Sequence, residues 1–351
     1  MSKIKDKLLS KSNQFNYYKD NYNRLIEENN RLTEELNELR NLISSPNLLN
    51  EINHIGSFCE RNYIDYYLRD DFEEKFFNLF SGLSKENKKY LKIILLRTLF
   101  VAASKEDTLF LDDEIKRQQE FAAFEEKYIS DKKIGDYKFI SNNFTNHAFV
   151  DLGFTQEDKD FLKDKDFIDA GAFTGDSSIP LSKLTTGNVH AFEPFKESFN
   201  QLIKNIELNN IDNIVPVNSF LSDDIGEVSI YLSGDNYEGV TSDSEVRDYD
   251  QEFIVPAMTV DDYVDKNNLD VGFIKIDVEG AEQDLLKGAI NTIKKYKPIL
   301  FISIYHKPDD FFTIKPMIDS LGLDYEFEIA KEQPWTYISD TIIKCRVKKI
   351  E

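Results

Sequence analysis

Cysteine is nearly absent from this 351-residue chain, which has only Cys59 and Cys345. Far apart, and with no Cys-x-x-Cys pair, they cannot build a disulfide framework or a thiolate zinc site, so a reducing cytosol is expected. Long apolar runs are lacking as well. The greasiest stretch, residues 91–103, holds Lys92 and Arg97 and falls short of the roughly 20 residues that a membrane-spanning helix needs. The start, Met1-Ser-Lys-Ile-Lys-Asp-Lys7, leads into polar residues rather than the apolar centre of a secretion signal. Positive charge is in deficit: 43 Lys and Arg face 64 Asp and Glu, a formal net charge of -21. Non-specific nucleic-acid binding rests on neutralising phosphates with Lys and Arg, and an anionic membrane surface makes the same demand. Neither is expected as a partner, no transmembrane segment is expected, and a cytoplasmic location follows.

What is present suits a folded chain. Apolar residues make up 41%, enough for a sizeable core, and the length suits two domains or one large domain with an appendage. Over residues 4–43 two series recur every seventh position, offset by three. One runs through Leu25, Leu32 and Leu39, the other through Asn29, Leu36 and Ile43. This alternation predicts a parallel coiled-coil dimer over residues 1–45, with Asn29 at an a position setting the register. Ser44-Ser-Pro-Asn47 ends that helix. Residues 46–134 carry helical stripes such as Phe72, Phe76 and Phe80 but no cluster that suggests chemistry. They predict a small helical domain packed on the following one, over part of its cleft. Asn142–Asn143, within residues 136–153, reads as the turn of a hairpin.

The chemistry concentrates further along. In Phe167-Ile-Asp-Ala-Gly-Ala-Phe-Thr-Gly-Asp176 a short apolar strand ends in an acid, and two glycines follow four apart. Asp169 sits where ligands of open α/β sheets bind. Gly171 can lie against a ligand without a side chain, and Gly175 lets the next helix begin close to the strand. Ser177 or Ser178 would cap that helix. The pattern lacks the third glycine of a dinucleotide-binding turn and fits a ligand with a cation and a ribose but no pyrophosphate, such as S-adenosylmethionine. A second strand, Asn188-Val-His-Ala-Phe-Glu193, ends twenty-four residues later in Glu193, placed to accept hydrogen bonds from ribose hydroxyls. A third segment, Phe273-Ile-Lys-Ile-Asp-Val-Glu-Gly-Ala-Glu282, repeats the plan and ends its strand at Asp277.

Together with Lys297-Pro-Ile-Leu-Phe-Ile-Ser-Ile-Tyr-His-Lys-Pro308, these segments resemble the FkbM-type methyltransferases over roughly residues 135–347. The resemblance implies an α/β fold: a Rossmann-like seven-stranded methyltransferase sheet whose last two strands are an antiparallel pair. The domain order is then a coiled coil over 1–45, a helical region over 46–134 and the methyltransferase domain over 135–351. It also implies transfer of a methyl group from S-adenosylmethionine to a hydroxyl, often of a sugar, so a glycan precursor is the expected acceptor. The expected cofactor-binding residues are Asp169, Gly171, Ala172, Gly175, Asp176, Glu193, Ser222, Asp223 and Asp277.

For the transfer itself, His306 follows the fifth strand and is the candidate general base, with Asp277 orienting cofactor or acceptor. No metal is expected, although Asp277, Glu279 and His306 offer a possible ligand set for a divalent cation. The polar stretch Ser233–Glu245 has the length of a binding loop or lid. Two other readings stay open: a coiled-coil scaffold with an inactive methyltransferase domain, and a nicotinamide-dependent oxidoreductase.

Overall fold

The computed structural model describes residues 63, 66–67, 69–100, 112–144, 153–233, 240–243, 249–332 and 338–347. The coiled coil expected over residues 1–45, His54, Cys59, His147 and most of the 233–245 loop lie outside them. Among the described residues, α1 (Phe72–Phe80), α2 (Lys85–Phe100) and α3 (Asp112–Tyr128) precede the sheets. A small antiparallel sheet follows, of β1 (Ile129–Ser130), β2 (Lys133–Ile134) and β3 (Tyr137–Lys138). The second strand of the hairpin expected around Asn142–Asn143 falls on residues 145–152, outside the described ones. β1, β2 and β3 reverse at residues 131–132 and 135–136, and the Asn142 side chain accepts the Lys132 backbone N–H at 2.7 Å, bracing the first of those turns.

The larger unit then alternates helix and strand: α4 (Gln156–Leu162), β4 (Asp166–Ala170), α5 (Ser178–Leu181), β5 (Val189–Phe192), α6 (Lys196–Leu208), β6 (Ile214–Val217), β7 (Phe220–Leu221), β8 (Gly226–Leu232), β9 (Gln251–Met258), α7 (Val260–Asn267) and β10 (Val271–Ile276). It closes with α8 (Glu282–Lys287), α9 (Ile290–Tyr296), β11 (Ile299–Ser303), α10 (Pro308–Asp319), β12 (Tyr325–Lys331) and β13 (Thr341–Val347). Seven strands form one mixed sheet in the order β12-β13-β11-β10-β4-β5-β6. The five strands from β11 to β6 run parallel, and β13 is antiparallel to both of its neighbours.

The strand sequences explain this arrangement. β4, β5, β10 and β11 are short and buried along nearly their whole length, as parallel strands covered on both faces must be. Successive residues point to opposite faces, so Ile168, Ile274 and Leu300 join one apolar cluster while Phe167, Phe273 and Phe301 join the other. The first cluster takes in α8, α9 and α10 through Leu285, Ile293 and Phe311, and the second takes in α6 through Leu202 and Ile206.

The described part of the helical region shares the core of that first face. Tyr63, Phe72 and Phe76 belong to the same cluster as the sheet, and the Tyr66 ring stacks on Phe312 at 5.0 Å. β7, β8 and β9 make a separate three-stranded sheet beside the main one. α8 and α9 are separate helices, parted where Gly288 packs on the backbone of Ser222. A Cβ at Gly288 would lie 2.0 Å from the Ser222 carbonyl oxygen. No described helix is long and apolar enough to cross a membrane.

Candidate active site

β4 lies between β10 and β5, where the order of the sheet reverses, and the crevice outside the strand ends is where such sheets bind ligands. A cavity of about 250 Å³ opens there, lined by Gly171, Asp176, Glu193, Lys275, Asp277 and Glu279 among others. Three of its walls come from the three strand ends marked by acids in the sequence. None of the described residues before Ala170 lines it, so the described helical region braces the sheet without entering the cavity.

The first turn is built around a buried carboxylate. Asp169 does not line the cavity. Its Oδ2 accepts hydrogen bonds from Ser177 Oγ at 2.7 Å and Ser178 Oγ at 2.5 Å, so those hydroxyls hold the strand end instead of capping α5. Burial pushes the Asp169 carboxyl above the usual range, against the pull of Lys275 and the two serines. Gly171 lines the cavity at φ +78°, and a Cβ there would lie 1.8 Å from the Asp277 carbonyl oxygen. The glycine is therefore required by the approach of the neighbouring strand end as well as by the cavity. Ala172 is buried, its N–H donating to the Phe192 carbonyl at 2.9 Å. Gly175 faces Leu202 of α6, where a Cβ would lie 2.7 Å away.

Glu193, just beyond β5, accepts the Phe173 N–H at 3.0 Å and the Phe195 N–H at 2.8 Å. Those bonds favour the ionised form, but burial prevails and the carboxyl is pushed up to about 8. Phe173 itself adopts φ +46°, a sparsely populated conformation for a bulky residue that recurs at ligand-binding turns. Beyond β6, Ser219, Phe220 and Leu221 line the cavity. Ser222 and Asp223, expected to touch the cofactor, are not on its wall; they pair with each other at 3.3 Å on an exposed stretch.

At the third strand end, Asp277 Oδ1 accepts from Ser303 Oγ at 2.7 Å. The turn after it is held by Glu282, which accepts the Val278 N–H at 3.1 Å and the Gly280 N–H at 3.0 Å. Glu282 also binds His306 Nδ1 at 2.8 Å. His306 is brought to the same corner, with Nε2 3.5 Å from Glu279 Oε1 and 3.8 Å from Asp277 Oδ1. Burial alone would lower its pKa, yet the Glu282 and Glu279 carboxylates hold it well above the usual histidine range. His190, by contrast, sits in the sheet with Nδ1 2.8 Å from Tyr263 Oη.

Five residues of the site are not singled out by the sequence reading. Lys275 points from β10 between two carboxylates, 3.6 Å from Asp169 Oδ1 and 3.4 Å from Asp277 Oδ2. A lysine inside an otherwise apolar strand was its signal, since buried lysines are nearly always paired. Tyr305, Glu332 and Asp340 also line the cavity, and no spacing links the last two to the glycine turns. Glu282, readable as an ordinary acid at a helix start, is instead the fully buried anchor of His306.

Residues 169–329 match the family model described as the methyltransferase FkbM domain. This segment is similar to an FkbM methyltransferase domain. It starts at the buried Asp169 and contains Glu193, Asp277 and His306. Among solved structures, the chain is similar to an FkbM methyltransferase from Methylobacillus flagellatus KT, at 18% identity and a TM-score of 0.53. The match covers 81% of this chain and 62% of that one. That likeness is one of fold. An rRNA methylase from Streptococcus thermophilus is a more distant match, at 13% identity and a TM-score of 0.36, over 55% of this chain and 92% of that one. Comparison with curated proteins gave no match. Glu332 and Asp340, on the cavity wall, lie beyond the matched FkbM segment.

Proposed function

We propose that the protein transfers a methyl group from S-adenosylmethionine to a hydroxyl of a sugar or glycan precursor. The observation that carries this reading is the coincidence of the FkbM-like segment with the cavity at its three acid-tipped strand ends. Carboxylates predominate on that wall, which suits a cofactor bearing a sulfonium cation. Glu193 has lone pairs left for the ribose hydroxyls after its two backbone bonds, and Gly171 admits the cofactor close to the main chain. The sugar acceptor follows from the family resemblance. Isotope-labelled methyl transfer from S-adenosylmethionine to a panel of saccharides tests the reading, and labelling of none of them counts against a sugar acceptor.

In this account the cofactor lies against the β4 and β5 ends, and the acceptor enters from the side of Asp277, Glu279 and Tyr305. Holding the acceptor oxygen in line with the sulfonium methyl contributes most, since orientation alone can be worth roughly 7–11 kcal/mol. The C–S bond breaks as the O–C bond forms, its electron pair stays on sulfur as S-adenosylhomocysteine, and the hydroxyl proton leaves toward the Asp277–Glu279–His306 corner.

The heptads of residues 4–43 support a parallel dimer. Light scattering on the full chain and on a form lacking residues 1–45 tests it: a full-length monomer, or a dimer indifferent to the deletion, refutes it. A cytoplasmic location is in keeping with the two cysteines.

A further inference from the structure

We infer that Asp277, Glu279 and His306 bind one divalent transition-metal cation, which on the methyltransferase reading above would also take the acceptor hydroxyl as a ligand. The histidine carries the argument. Its Nδ1 is engaged by Glu282, while Nε2 is buried and has no hydrogen-bond partner among the described residues. His306 as a whole is only 8% exposed. A buried ring nitrogen without a partner calls for an explanation such as an ion. Nε2 is aimed between two carboxylate oxygens, 3.5 Å and 3.8 Å away, beyond the range of good hydrogen bonds. Atoms that share a metal at about 2.1 Å lie roughly 3–3.5 Å from one another, and the Nε2–Glu279 separation already falls at the edge of that range.

The supporting groups have the arrangement that metal-binding histidines use. Such a ring nearly always gives its other N–H to a carboxylate, a backbone carbonyl or water, which fixes its orientation. Glu282 has that position, and its own oxygens are held by the Val278 and Gly280 N–H groups. Although Glu282 belongs to the same compact group of potential ligands as Asp277 and His306, those bonds make it the support and Glu279 the ligand. Glu279 sits at φ +55° with Gly280 at φ +104°, and the Glu279 carbonyl accepts from Thr241 Oγ1 at 2.6 Å. The strained turn is thus pinned from two sides and directs the Glu279 side chain to this corner.

One imidazole with two carboxylates suits manganese(II) or zinc(II) better than magnesium or calcium, which favour all-oxygen shells. Asp277 and Glu279 also line the cavity, which leaves a coordination position facing it. A hydroxyl bound there would lose its proton more readily, so His306 would serve as a ligand and not as the base.

The test is metal uptake by the full-length protein, stripped with a chelator, dialysed against manganese(II) or zinc(II) and assayed for metal content and for S-adenosylhomocysteine binding. Expected is one ion per chain, with affinity lowered about tenfold or more in Glu279→Gln and in His306→Ala. Circular dichroism and retained S-adenosylhomocysteine binding would show that the variants fold. Uptake of neither metal, or uptake equal in wild type and both folded variants, overturns the site. S-adenosylhomocysteine binding without metal uptake overturns the metal site alone. Metal uptake without S-adenosylhomocysteine binding upholds the site and contradicts the cofactor assignment.

Discussion

Lys275 and Asp169 are register partners on adjacent parallel strands, and the lysine Nζ lies 3.6 Å from Asp169 Oδ1. The aspartate is fully buried, so the lysine and the Ser177 and Ser178 hydroxyls are what make its charge tolerable. Removing one partner of a buried pair leaves an uncompensated charge, at a cost of about 3–5 kcal/mol. Lys275→Met should therefore lower the stability read from urea unfolding by an amount of that order near neutral pH. A carboxyl whose folded pKa is raised is penalised above its unfolded value, so the deficit should shrink as the pH falls toward that value and Asp169 takes up a proton. A deficit independent of pH would assign the effect to lost packing.

Glu193 supplies a second pH signature. Its folded carboxyl is pushed up to about 8, against an unfolded value near 4.3. The penalty is absent below the unfolded value, grows through neutral pH and is complete above about 8. Ribose hydroxyls donating to Glu193 favour the ionised form, so cofactor binding near pH 7 should release a proton. Calorimetry in buffers of different ionisation enthalpy checks this. A binding enthalpy that is the same in all buffers would contradict it.

Much of the site was legible because strand ends announce themselves. Asp169, Glu193 and Asp277 each close a short apolar run, and the structure gathers those three strand ends around one cavity. Side-chain pairing across strands was not legible. Ser177 and Ser178 look like helix caps until register brings Asp169 beneath them, and Glu282 looks like a helix-start acid until β11 brings His306 to it. The break between α8 and α9 depends on Gly288 meeting Ser222, a contact between residues 66 positions apart.

Arg97 and Glu114 form a buried, bidentate ion pair between α2 and α3. Because Glu114→Ala leaves the guanidinium buried without that carboxylate, it should destabilise the protein by about 3–5 kcal/mol. Thermal unfolding of the variant measures it, and an unchanged midpoint would mean that the pair contributes little.

The acceptor corner separates binding from turnover. His306→Ala should lower kcat by about tenfold or more while leaving S-adenosylmethionine affinity nearly unchanged, whereas Asp277→Ala should reduce both. Steady-state kinetics with binding calorimetry distinguishes them. Full turnover in the His306 variant would reduce the histidine to a strand-end residue.

The most direct measurement is calorimetric titration of the wild-type protein and Glu193→Ala with S-adenosylmethionine and, separately, with NADH. The account predicts that S-adenosylmethionine binds the wild type and that the substitution weakens binding by about 1.5–3 kcal/mol, the worth of hydrogen bonds to a charged group. Binding of NADH with no binding of S-adenosylmethionine would contradict it.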